Sequence, residues 1–208
     1  MAFILAGLVG CQSGGAASGD GTALSVNRLA QLADEVGEDG SDNCPLPYDV
    51  KKAAGAVGLG KEIEPGAPDD ALGAVVATAE NGTQPEKESA WAANPGALVS
   101  CMYHSGEDAL KIHTIGGEKP GVVSLLAPVM QRDGGMNTTE LGPYVEKTKK
   151  AAPGEAVQSE GGNVVTVPLS AGDTGNVAIV LTVGNMGKTS LTPEQILELA
   201  KTFAGQTK

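Results

Sequence analysis

Two apolar stretches with period-two alternation, Leu98 to His104 and Ala109 to Ile115, constrain this chain more than any other feature. Successive strand side chains leave opposite faces, so the stretches read as a hairpin turning across Ser105, Gly106, Glu107 and Asp108. Pairing His104 with Ala109 places Val99, Cys101, Tyr103, Leu110 and Ile112 on one side. That side is apolar, which aims Cys101 into a core. A cysteine aimed inward calls for a partner, and Cys44 is the other cysteine of the region that reads as globular. A Cys44–Cys101 disulfide would close a loop of about 57 residues and stabilise the fold by about 4 kcal/mol on the chain-entropy model. Two free buried thiols are the alternative.

The remaining patterns predict helices around that hairpin. Leu29, Leu32, Ala33 and Val36 recur at helical spacing within Leu24 to Val36, which ends at Gly37. Pro45, Leu46, Pro47, Tyr48 and Asp49 open a second helix to about Val57, because first-turn amides lack intrahelical partners and tolerate proline. From Lys61 to Gly96 the chain is rich in Pro, Gly and charge, with one strand expected at Leu72 to Thr78. So long a connection with little structure is either a functional loop or a mobile one, and as a functional loop it is the expected contact region. Val122 to Met130 reads as a helix interrupted at Pro128, and Thr138 to Ala151 as a helix whose Lys147, Lys149 and Lys150 complement its dipole. Val157 to Leu169 and Val177 to Val183 form a second strand pair joined across Gly172 to Asn176. Thr192, Pro193, Glu194 and Gln195 open the last helix with a cap, a first-turn proline and a capping-box glutamine, and Leu191 can staple onto Ile196. Ile196, Leu199, Ala200 and Phe203 then share one face. The expected fold is α+β: an antiparallel sheet with helices packed on one or both faces, an α/β sandwich, in a single domain over 24–208.

Charge and the front of the chain bear on location. Asp and Glu number 25 against 14 Lys and Arg, a formal charge of −11. No basic stripe exists to neutralise successive phosphates, so nucleic acid is not an expected partner. An acidic body is also repelled by anionic headgroups, so attachment to a membrane must come from hydrophobic insertion. Ala2 to Val9 is apolar but too short to span a bilayer. Its last residues, Leu8, Val9, Gly10 and Cys11, resemble the lipobox of bacterial lipoproteins. The resemblance implies a signal peptide at 1–10, a diacylglyceryl group on Cys11, and a lipidated tether at 11–23. No Lys or Arg precedes the apolar run, so the leader is expected to be truncated, with its true start upstream. Gln12 to Thr22 is a Gly/Ser/Ala stretch with an expected coil span of roughly 18 Å. The other reading of these residues is a buried N-terminal strand with a core cysteine. A lipidated Cys11 implies the extracellular face of the cell membrane, an oxidising place in which Cys44 and Cys101 can pair.

The segment Cys44-Pro-Leu-Pro-Tyr-Asp49, the Cys101-x-Tyr103 strand and the closing helix resemble uncharacterised secreted lipoproteins of actinobacteria, some of which look like the PsbP-type α/β sandwich. The resemblance covers most of the chain from Cys44 onward and implies no activity.

Chemistry-bearing motifs are sparse. His104 and His113 fall on the polar face of the hairpin roughly 13 Å apart, too far to share a zinc ion without other ligands. Asp39, Ser41 and Asn43 begin like a calcium loop, but Cys44 and Val50 occupy positions that need glycine and glutamate. No serine lies in Gly-x-Ser-x-Gly, and Gly116-Gly117, Gly134-Gly135 and Gly161-Gly162 read as turns rather than phosphate loops. Trp91, the single tryptophan, sits in the long loop as a candidate contact residue or as a plug onto the core. The expectation is a non-enzymatic binding or scaffolding module of the cell envelope, with no metal or cofactor, whose partner is an envelope protein. The alternative is a carrier of small apolar or lipid ligands in a pocket between helices and sheet. A hydrolase would require an Asp or Glu distant in sequence to meet His104 or His113 in a cleft.

Overall fold

The computed structural model describes residues 23–59, 63–68, 75–82, 90–172, 174–184 and 187–207. Cys11, the leader, nearly all of the tether and much of 61–96 lie outside the described residues.

The expected hairpin is the middle of a seven-stranded antiparallel sheet. Its strands are β1 (Glu64–Pro65), β2 (Ala77–Asn81), β3 (Gly96–Ser105), β4 (Asp108–Gly117), β5 (Val157–Gln158), β6 (Val164–Leu169) and β7 (Asn176–Val183). They run in the order β1, β3, β4, β7, β6, β5, with β2 also pairing to the outer edge of β3. His104 pairs with Ala109, as the alternation requires. The turn holds Gly106 at φ 61°, a left-handed conformation that glycine adopts without strain.

Both faces of the sheet carry helices. On one lie α1 (Val26–Val36), α2 (Val50–Ala56) and the C-terminal α6 (Pro193–Gln206). Val99, Cys101, Leu110, Ile112, Ile179, Leu181 and Val183 meet Leu29, Leu199 and Phe203 there, all essentially without exposure. Burying each of the larger side chains contributes about 1.5–3 kcal/mol. The opposite face carries a 3-10 turn (Val122–Leu126), α4 (Ala127–Arg132) and α5 (Thr138–Lys150), packed on Ile115, Val164, Ala178 and Val180. A four-residue helix, α3 (Ala90–Ala93), precedes β3. The first and last described parts of the domain meet, the Leu24 amide donating to the Thr207 carbonyl at 3.4 Å.

Cys44 and Cys101 form a disulfide, their Cα atoms 5.5 Å apart. That bond explains the main departure from the sequence-based reading. The second helix begins at Val50, not at Pro45, with the Asp49 side chain accepting from the Lys52 amide at 2.9 Å. Cys44 is held by Cys101, and Tyr48 shares a 2.5 Å hydrogen bond with Thr114 Oγ1 and sets its ring edge-on to Phe203, 5.4 Å away. With Pro45 and Pro47 lacking amide hydrogens, the segment is an irregular strap rather than a first turn.

Four other expectations shift. The strand expected at Leu72 to Thr78 lies at Ala77–Asn81, where its register is set by Cys101 to Ala97 of β3. Pro128 stands in the first turn of α4 and starts that helix instead of interrupting one. The stretch from Val157 to Leu169 is split by a turn in which Gly162 has φ 77°. Gly116 and Gly117 belong to β4, not to a turn. They are small because neighbours come close: a Cβ on Gly116 would lie 3.1 Å from Leu29 Cδ2 of α1, and one on Gly117 would lie 2.9 Å from Val122 Cγ2.

Candidate functional site

The helical layer of α4, α5 and the 3-10 turn rests mainly on β4 to β7 and touches β3 at Leu98. Where it stops, a groove of about 250 Å³ opens between the exposed sheet face and the end of α4. Its floor comes from alternate residues of three strands. Thr78 of β2 pairs with Ser100 of β3, which pairs with His113 of β4. One step along, Met102 pairs with Lys111. Val129, Arg132 and Asp133 form the wall on the α4 side.

Charged and polar groups meet at this step. Ser100 Oγ lies 2.8 Å from His113 Nδ1. Asp133, buried just beyond α4, takes the Arg132 Nε–H on Oδ1 at 2.8 Å and an Nη2–H on Oδ2 at 3.1 Å, and the Lys111 ammonium stands 3.1 Å from that same Oδ2. Burial alone would raise the Asp133 carboxyl, but hydrogen bonds from Arg132 and Lys111 outweigh it and hold the pKa below the usual carboxylate value. Burial pushes His113 down to about 4, with Asp133 pulling it up and Lys111 and Arg132 pushing it further down. The ring is neutral at pH 7. Its Nε2 is buried and has no hydrogen-bond partner.

Comparison with family models, curated proteins and solved structures finds no match. The chemistry of the groove therefore rests on its own geometry.

A serine bonded to a histidine near an aspartate invites comparison with a nucleophilic triad. The decisive bond is missing, because Asp133 turns to its two cations and no carboxylate holds His113 Nε2. A neutral imidazole with so low a pKa is also a poor base for activating Ser100. Among the described residues no group of three His, Cys, Asp or Glu is placed to hold a metal ion.

The residues singled out from sequence fall elsewhere. Cys44 and Cys101 are joined, with Cys101 buried. Trp91 is partly buried against the apolar layer under α4 and α5, close over Gly82, and its indole N–H donates to Glu80 Oε2 at 2.8 Å. That is the geometry of a plug with one exposed edge. His104 faces Glu64 Oε2 and the Gly66 carbonyl, each at 3.0 Å, and so fastens β1 to β3. It shares a sheet face with His113 but not the groove. Sequence reasoning missed Ser100, Lys111 and Asp133. For Ser100 and Lys111 the available signal is a polar strand face opposite an apolar one; Asp133, which follows α4, carries no such signal.

Proposed function

We propose that this chain is an exported lipoprotein of the bacterial cell envelope, anchored to the outer face of the membrane through Cys11. Its domain acts as a non-enzymatic binding module. The observation that carries this reading is the Cys44–Cys101 disulfide, since such bonds persist in oxidising compartments and are rare in reducing ones. The lipobox-like Leu8-Val9-Gly10-Cys11 and the Gly/Ser/Ala stretch behind it supply an anchor and a tether for a domain that is folded from Val26 onward. The likeness to secreted actinobacterial lipoproteins belongs to the same proposal. Binding is favoured over catalysis because the groove pairs a serine with a histidine whose other ring nitrogen no carboxylate holds.

Metabolic labelling with a clickable fatty acid tests the anchor. The wild-type chain is expected to take up label and sediment with membranes, and Cys11→Ser to do neither. Equal labelling of both, or an intact leader on cytosolic protein with reduced thiols, would overturn the reading.

A carrier of small apolar or lipid ligands is the second reading, and it draws on another cleft. This one, of about 280 Å³, lies between the end of α5 and the ends of β6 and β7, lined in part by Val122, Val123, Leu169 and Val177. Against it stands the interior, where side chains from both helical layers fill the space over the sheet.

A further inference from the structure

We propose that the domain rests on the membrane through one end of its sheet, the end at which the chain leaves toward Cys11. This rests on the anchor reading and deepens it by naming the surface that meets the phospholipid headgroups.

The exit point is fixed by the fold. The Gly172 amide donates to the Leu24 carbonyl at 3.3 Å, and the Leu24 amide donates in turn to Thr207. A Cβ on Gly172 would lie 2.5 Å from the Ala23 carbonyl oxygen, so the chain passes tightly between the β6–β7 connection and the end of α6. This is the end of the sheet where Gly96, Gly117 and Asn176 pair side by side, and the Ser105–Asp108 turn marks the other end. Residues 12–22 separate Ala23 from Cys11, and their coil span of roughly 18 Å keeps the exit close to the lipid.

An amphipathic strip runs from the exit. Trp91, at the same end, packs over Gly82 with one edge exposed, and tryptophan is enriched where apolar and wet layers meet. The Lys119 ammonium donates to the Ala93 carbonyl of the same short helix. Pro120, the next residue, opens the cleft of about 280 Å³, whose walls include Val122, Leu169 and Val177 and which reaches Ser170 and Ala171 beside the exit. A headgroup layer would cover this apolar surface.

Charge separates the two ends. Along the strip, exposed Lys119, Lys147, Lys149 and Lys150 offset Glu80, Glu118, Glu146 and Glu155. With Asp173 of the sequence added, this end is still close to neutral. Asp34 and Glu35 belong to α1, on the opposite face of the sheet. The far end carries Glu64, Glu107, Glu160 and Glu194 against Lys188. An anionic leaflet repels that acidic end and lets the near-neutral end approach, over a Debye length of about 8 Å at physiological salt. The formal charge of −11 then orients an anchored body.

Trp91 is the single tryptophan, so its emission reports on this strip alone. The full lipidated chain would be reconstituted in vesicles of phosphatidylcholine and phosphatidylglycerol, with or without a nitroxide on the headgroup. Its lysines would be acetylated in parallel by a reagent that does not cross membranes. The nitroxide is expected to quench most of the Trp91 emission. Lys119 and Lys149 should react several-fold more slowly than in unanchored Cys11→Ser protein, with Lys188 unchanged. Emission left unquenched on vesicles that carry the chain, or protection at Lys188 in place of Lys119, would sink the proposal while leaving the anchor standing. A chain that takes up no lipid at Cys11 and does not float with the vesicles would remove the anchor and this orientation together.

Discussion

His113 is neutral in the native protein because burial and two nearby cations oppose its charging. Its native pKa near 4 lies below the ordinary 6.5, so between those values the unfolded chain takes up a proton that the native ring refuses. Stability therefore falls as pH falls through that window, by up to about 3 kcal/mol, and this contribution changes no further below it. Asp133 acts lower, because its depressed pKa keeps its contribution intact until pH drops below the usual carboxylate value of 3.8. Urea midpoints measured from pH 7 to pH 4.5 should drop more for the wild type than for His113→Leu, and parallel curves would show that the ring is not the group responsible. At this scale the sequence was legible where one neighbour decides the outcome. Alternation alone turned Cys101 inward. It equally placed Lys111 and His113 on the other face, but whether that face meets water or a second layer depends on α4, which sequence spacing does not position.

The elements divide by how local their chemistry is. The C-terminal helix was readable in full: the Thr192 side chain accepts from the Gln195 amide, the Gln195 side chain accepts from the Thr192 amide, and Leu191 and Ile196 are both buried. Every one of those contacts spans a few residues. Thr192→Ala should cost about 1 kcal/mol, seen as a lower urea midpoint with an unchanged slope. The 44–49 strap was misread for the opposite reason, since Cys101, Thr114 and Phe203, which hold it out of helical geometry, are all distant in sequence. Gly116 and Gly117 likewise look like a turn on their own. Only Leu29 of α1 and Val122, pressed close against them from elements distant in sequence, explain why a strand has two residues without side chains there.

For the whole molecule, the fold class followed from the alternation of strands and amphipathic helices, whereas the strand order did not. Nothing in the spacing says that β4 takes β7 as its second neighbour, because that choice is made by side chains meeting over both faces. The disulfide acts at this scale too. Reduction, or replacement of both Cys44 and Cys101 by Ser, should lower the unfolding free energy by about 4 kcal/mol, which denaturation with and without reductant would measure. Little loss would mean that the strap holds its place without the bond. The amide of Leu24 touching the carbonyl of Thr207 has a different consequence. A short peptide joining those residues would close the chain into a ring, and new ends opened at Gly106 and Glu107 would leave every strand beside the same neighbours. The order in which this polypeptide is threaded is then separable from the architecture it builds.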